Sequence, residues 1–540
     1  MKPIIIFLFF AIFICLAKLQ LSAQTSKLIA EAEQTMLHAT QYMVEKVSIN
    51  GGYVWYYLPD FSRQWGEMEA YKTMIWLQHP GTISMGHLFL DAYRVTGNEY
   101  YYQAAAKAAN AIIWGQSNEG GWNYMIDFAG DRSLKQWYNT IGKNGWRLEE
   151  FQHYYGNSTF DDDITSDAAR FLLRMYLEKL DPTYKSALEK AISFVLKSQY
   201  PNGGWPQRYP LKYDFKKEGH PDYTSFYTFN DDVIWENTHF LIQCYLSLGE
   251  ERFLDPIRRG MEFYLISQDG CGAWGQQLNM NLETAGARTY EPAAFLPSTT
   301  CENAMLLLKF YQYTGDKKFL EHIPDAIKWL EETALPADKA ENWRTHPTFV
   351  EVATNKPIYV HRKGSNVKFG SYYIDYNDDH LLSHYGGKCH VPLDELKAEY
   401  KRLSALPPEE VTKDSPLKSE QFKGAGSPQS YYDLNRYNFP MQVDETMVGE
   451  IVRLLDAQNR WLTKHASISH PYIGDGQRQE LTDEFASTNV GDETDTSPYR
   501  DPSDQEYIST GDYIRNMKML INYIQSAKSP DGVKKSVVWH

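Results

Sequence analysis

The chain has 540 residues, of which 43% are hydrophobic and 23% charged, with a formal net charge of −15. That composition is enough for a large core or two domains and excludes a disordered chain. The acidic balance excludes general nucleic-acid binding, and an anionic ligand must meet a local basic cluster or a bound cation.

Met1-Lys2 is followed by an apolar run from Ile4 to Ala17 and a small-residue end at Leu21-Ser22-Ala23. This reads as a secretory signal, residues 1–23, cut after Ala23 and too short to span a membrane. A secreted or periplasmic protein without a membrane anchor is therefore expected. Cys244, Cys271, Cys301 and Cys389 match no zinc spacing and are read as core residues.

Periodic apolar residues predict a first helix from Ser26 to Val47, then an aromatic loop over Asn50–Tyr57. After it a unit recurs: helix, tight turn, helix, and a loop carrying Trp. The turns are Thr96-Gly97-Asn98, Leu180-Asp181-Pro182, Leu248-Gly249-Glu250 and Thr314-Gly315-Asp316. The loops hold Trp122, Trp205, Trp274 and, more weakly, Trp343 in Glu341-Asn342-Trp343. Repeated helix pairs predict stacked hairpins. Curved on itself, the stack makes a mainly α, α/α toroid with the Trp loops crowding one rim; an open solenoid is the alternative.

The chain is organised around residues 202–232. Asn202-Gly203-Gly204-Trp205-Pro206-Gln207-Arg208 offers a tight turn, an aromatic face and polar donors. Asn230, Asp231 and Asp232 follow, just before a strong helical pattern. Ser158-Thr159-Phe160-Asp161-Asp162-Asp163 mirrors them, with Thr159 and Thr228 69 residues apart. Carboxylates at a helix start either cap free N–H groups or hold a hard cation. Two such runs at equivalent places, Asp161 and Asp162 in one and Asp231 and Asp232 in the other, make a shared Ca²⁺ as plausible as two caps.

Residues 344–375 alternate as a strand pair and bring Arg362, Lys363 and Lys368. From Pro407 to about Met441 a polar surface excursion is expected. Asp475 to Gln505 is acidic and irregular, and a last helix near Tyr513–Ile524 packs back to close the ring. The expected organisation is a catalytic toroid over 24–410, with excursion and closing helices over 411–540.

Asn202–Gln207, Thr228–Asp232, Arg288-Thr289-Tyr290-Glu291 and Asn355–Arg362, in that order, resemble the motifs of polysaccharide lyase family 10, the pectate lyases. The likeness is best over about 110–375, and Ile508–Met517 is also similar. The resemblance implies an α/α toroid with small antiparallel sheets and calcium-assisted β-elimination of polygalacturonate. Carried over by position, it implies Asp161 and Asp231 near Ca²⁺, Arg288 as a substrate-binding arginine and Arg362 as the catalytic base. Trp205, Gln207, Arg208, Asn230 and Tyr290 are further substrate-binding candidates. A monomer acting on an acidic plant polysaccharide is expected.

The family's basic residue before the catalytic arginine is here Thr348. The stretches over Arg208–Thr224 and after 376 are longer than the family's. These departures bear on substrate more than fold. A lyase for another uronate, a glycoside hydrolase using two carboxylates, and a non-catalytic pectin-binding protein stay open. Arg362 is chemically awkward as a base, because guanidinium titrates above about 12. Its bland role is an anchor or ion-pair partner.

Overall fold

The computed structural model describes residues 25–144, 149–213, 222–363, 371–379, 381, 385–418, 443–466 and 505–528; Arg362 and Lys363 are described by backbone only. The leader over 1–23 and most of the acidic stretch 475–505 lie outside the described residues. Among the described residues no helix is long and apolar enough to cross a membrane.

Helix α1 covers 25–42. Two antiparallel hairpins follow along the chain after it and two after those. They pair α2 (Thr82–Thr96) with α3 (Glu99–Trp114), and, beyond α4 (Asp131–Thr140) and α5 (Glu149–Gln152), α6 (Ile164–Lys179) with α7 (Pro182–Ser198). Next come α8 (Val233–Leu248) with α9 (Leu254–Ile266), and α10 (Pro297–Thr314) with α11 (Lys318–Glu321) and α12 (Ile323–Thr333). The turns are built as their residues predict. Asn98 and Asp181 accept from the backbone N–H two residues on, Pro182 opens α7, and Gly97, Gly249 and Gly315 close α2, α8 and α10 at positive φ.

The first helices of the first three pairs pack on one another: α2 on α6, and α6 on α8. This inner position explains why α6 is buried on most sides, with Ile164, Ala168, Phe171, Leu172, Leu173 and Met175 enclosed and even Arg170 and Arg174 covered. Helix α13 (Leu393–Ser404) continues the stack on α10 and α12; α14 (Pro408–Val411) and α15 (Glu445–Leu454) follow. The last helix, α16 (Thr510–Lys528), packs on α2, and its Tyr513 hydroxyl meets Thr40 Oγ1 of α1 at 2.6 Å. The first and last described helices thus join. The architecture is an α/α toroid with small antiparallel sheets.

The Trp loops are the rivets of the stack. The indoles of Trp122 and Trp205 donate to the carbonyls of Ile112 and Val195, each ten residues back. Their own carbonyls, with that of Trp274, accept from Thr159, Thr228 and Leu296, just before the next inner helix. Gln116, Gln199 and Gln268 each bridge a loop carbonyl to a carbonyl of the next outer helix. Trp461 is a further copy, donating to Ile451, also ten residues back. Trp343 is not one: it is 59% exposed. Its 69-residue spacing from Trp274 is coincidence, and the weak fourth repeat is corrected on that ground.

Gly203 carries the closest approach, with φ +104° and a would-be Cβ 2.0 Å from the Arg259 carbonyl oxygen. Gly203→Ala is expected to cost about 1–3 kcal/mol or more. A urea midpoint unchanged from wild type would refute this account of hairpin contact.

Candidate active site

Two matching turns build the site. The short strands Ser158–Thr159 and Tyr227–Thr228 run into single 3-10 turns, Asp161–Asp163 and Asn230–Asp232, ahead of α6 and α8. Asp162, Asp163, Asp231 and Asp232 all adopt left-handed φ, at 48°, 59°, 49° and 53°. Asp tolerates such angles better than most non-glycine residues, but two of them in succession in each of two matching turns is uncommon, and such backbone gathers at functional sites. Neither Asp163 nor Asp232 caps its helix through its side chain. The capping reading of these runs therefore fails.

The two turns touch, and the Asp161 and Asp231 carboxyls meet within hydrogen-bonding reach. Asp161 is fully buried. It accepts from Gln207 Nε2 at 2.9 Å, from Arg288 Nη2 at 3.0 Å, and from the Tyr124 hydroxyl. Burial opposes its ionisation, but Arg288 and these donors outweigh it and hold the carboxyl below the usual range. Asp231 goes the other way: burial, then Asp161 and Asp162, push its carboxyl well up. Two like charges at touching distance cannot both stay ionised without a proton or a cation between them. Asn230 Nδ2 steadies Asp231 from behind at 2.6 Å.

Asp162 is also pushed well up, by crowding and by Asp161 and Glu67, and accepts from Gln78 Nε2 at 2.7 Å. Its side chain is solvent accessible although protein surrounds it, as in the lining of a cleft. Asp232 turns elsewhere. Its charged neighbours are Lys309 and Glu302 on α10 and Asp163, so it does not join the Asp161–Asp231 pair.

Arg288 is the hub on the other side. Its Nη1 and Nη2 reach Glu291 at 3.2 Å and Asp161 at 3.0 Å, and its Nε donates to Glu150. Burial, then Arg288 and Asp161 acting in opposite senses, leave the Glu150 carboxyl raised to about 7. Glu291 also accepts from the Tyr385 hydroxyl, and Glu149 from Thr289 N at 2.9 Å. Three carboxylates already hold the guanidinium. Its expected role as a bidentate clamp on substrate is corrected to organiser of the acidic cluster.

Three other expected contacts are corrected by burial. Trp205 is fully enclosed in the core and offers no ring face. Tyr290 is 2% exposed, packed between Tyr372 and Tyr385. Arg208, 1% exposed, lies over the Tyr155 and Tyr124 rings at 4.2 and 5.6 Å and donates to Asn123 and Asn157. Gln207 is buried too and acts on Asp161. Tyr124, Glu149, Glu150 and Gln78 are site residues that no motif in the sequence announced.

The model for pectic acid lyases matches residues 127–402, half of the chain, and this span contains both aspartate turns, Arg288 and Arg362. The chain belongs to the pectic acid lyase family. That family places it among the polysaccharide lyases. No curated protein matches the chain. A mutant of the family 10 polysaccharide lyase from Cellvibrio cellulosa, in complex with trigalacturonic acid, is 19% identical. The match covers 51% of this chain and 86% of that one, with a TM-score of 0.36. The unmutated Cellvibrio cellulosa family 10 enzyme matches at 19% identity over 50% and 82%, TM-score 0.35. An α-1,6-mannanase from Salegentibacter sp. HEL1_6 is 10% identical over 93% and 99%, TM-score 0.34.

Arg362 of this pectic acid lyase homologue lies on the strand Pro357–Lys363, its backbone registered against Tyr372. That strand pairs with Phe349–Glu351, which pairs with Ala294–Phe295, shortly after Glu291 in the chain. Backbone position 362 shares a strand face with Ile358 and Val360, which cluster with Tyr290. The side chain of Arg362 lies outside the described atoms. Thr348 is buried, its hydroxyl donating to the Gly386 carbonyl at 3.2 Å. The four cysteines are free, with Cys244 and Cys301 buried.

Proposed function

We propose that this chain is an exported pectate lyase that cleaves polygalacturonate by Ca²⁺-assisted β-elimination, with Arg362 as base. The observation that carries the reading is the facing pair Asp161–Asp231, organised by a buried arginine. Among the described residues no group of three or more His, Cys, Asp or Glu side chains forms a ready metal site. The donors at hand are carboxylate oxygens, the chemistry a hard cation takes, and Asp231 can ionise beside Asp161 only at the cost of like-charge repulsion. Asp161 and Asp231 would hold Ca²⁺, with the coordination completed by a carboxylate of the bound uronate.

A uronate in a polymer carries an acidic hydrogen at C5, beside its carboxylate, and a leaving oxygen at C4. Removing the proton builds charge on that carboxylate, and Ca²⁺ bound there would offset it. Arg288, Gln207 and Tyr124 fix Asp161 in place before substrate arrives, so no reorganisation is needed at the moment of reaction. Arg362 takes the C5 proton only where neighbouring cations and loss of water lower its pKa, which calls for alkaline conditions.

The test is incubation with polygalacturonate and Ca²⁺ across alkaline pH, following the absorbance of the unsaturated product. Product that vanishes with EDTA and in Arg362→Ala supports the reading. A folded protein that gives saturated ends insensitive to EDTA is a hydrolase instead. Binding without turnover makes it a pectin-binding protein.

A further inference from the structure

Trp343 stands apart from the tryptophans of the repeat loops, which are buried. It occupies a two-residue turn in which Glu341 and Arg344 bond each other's backbone, N to O, at 3.1 and 2.8 Å. Asn342 takes the left-handed angle, φ 51°, that such a turn demands. The turn lifts the indole to the tip of the sheet formed by Arg344–Pro347 and Lys388–His390. Leaving so large an apolar ring in water forgoes the gain of burying it. Trp114 is exposed as well, but its partner is Phe128, with ring centroids 4.7 Å apart.

What surrounds Trp343 is polar and basic. The Arg344 guanidinium lies 5.2 Å from the ring centroid. His390, directly opposite Arg344 in the sheet, meets the indole edge-on at 5.2 Å. Arg344 forms no ion pair among the described residues. Lys388 does not add to the free charge, because Glu341 neutralises it. The result is one exposed indole with a guanidinium over it that has no ion-pair partner among the described residues, on a chain of net charge −15. An exposed indole with a guanidinium over part of it matches a uronate: ring C–H groups stack on the ring surface left open while the carboxylate meets the fork of donors.

The position relative to the aspartate pair sets the direction. Tyr385 bonds Glu291 in the Arg288 network. From there Gly387 pairs with Thr348, Lys388 with Pro347, Cys389 with His346 and His390 with Arg344. Lys388–His390 is extended but Gly386 turns the chain at φ 65°, so the five steps from Tyr385 to His390 reach at most about 17 Å. The indole stands at the far end of this run from the Glu291–Arg288 network.

We infer that Trp343 and Arg344 form a distal docking site for the acidic polysaccharide chain, engaged by long substrates and out of reach of short ones. The inference rests on the polyuronate reading above. Its test is affinity gel electrophoresis with polygalacturonate in the gel, alongside KM on polymer and on trimer. Trp343→Ala and Arg344→Ala are expected to lose at least half of the retardation and to raise KM on polymer several-fold, with the trimer KM and kcat unchanged. Equal retardation of wild type and both variants overturns the docking site even where the enzyme is an active pectate lyase. Wild type that is not retarded overturns it too. Retardation lost in the variants, with no unsaturated product from wild type, keeps the site and removes the lyase reading. Both substitutions lie at an exposed turn, so the fold is retained.

Discussion

Asp231→Asn should reduce release of unsaturated product from polygalacturonate by about 10²–10³-fold, the scale of losing one electrostatic group aimed at developing charge. The same change should make the protein more stable at pH 8. In the folded chain the Asp231 carboxyl is pushed well up by burial and by Asp161 and Asp162, so the native state keeps a proton that the unfolded chain releases above about pH 4. Stability contributed by that proton is present at low pH and is lost as pH rises towards the folded value. Asparagine has no proton to lose. The Tm gain of the variant over wild type should be small near pH 4 and grow towards pH 8. Calcium should raise the Tm of wild type at pH 8 and leave the variant little changed. A Tm difference that is flat with pH would falsify the like-charge account of the pair.

Arg288→Ala should be the most damaging single change near the cleft. The guanidinium is bonded to Glu150, Asp161 and Glu291, all buried. Removing it leaves three carboxylates without their countercharge, a loss of about 3–5 kcal/mol. Glu150, now raised to about 7, would rise further. Arg288→Lys separates organisation from folding, since an ammonium keeps the charge but cannot address three acceptors as a planar fork does. That variant should fold, retain most of the urea midpoint, and show a lower kcat with modest change in KM. Arg288→Ala with an undiminished urea midpoint would show that the cluster is held by something else.

The ring was legible in the sequence because its parts are periodic. Turn glycines, capping Asn98 and Asp181, and the Trp loops each report a local backbone need, and the spacing of Thr159 and Thr228 reported that two needs are the same. The pairing of the aspartate turns follows from that equivalence. The orientation of single side chains was not legible. Trp205 and Tyr290 sit in loops, where a ring facing the core and a ring facing a ligand have the same neighbours in sequence. Glu149 and Glu150 reach Thr289 and Arg288 from about 140 residues away, and no local pattern marks them. Arg288 was recognised as important but given the wrong partner, because its acceptors come from three separate segments. The spacing of Trp343 mimics a repeat, while its distinguishing feature, a two-residue turn led by Asn342, sets it outside the core.

The seam between Tyr513 and Thr40 fixes an order of events. Its two halves lie 473 positions apart, so the circle stays open until nearly all of the polypeptide has been made. Until α16 is made, a growing chain leaves bare the face of α2 that this last helix covers.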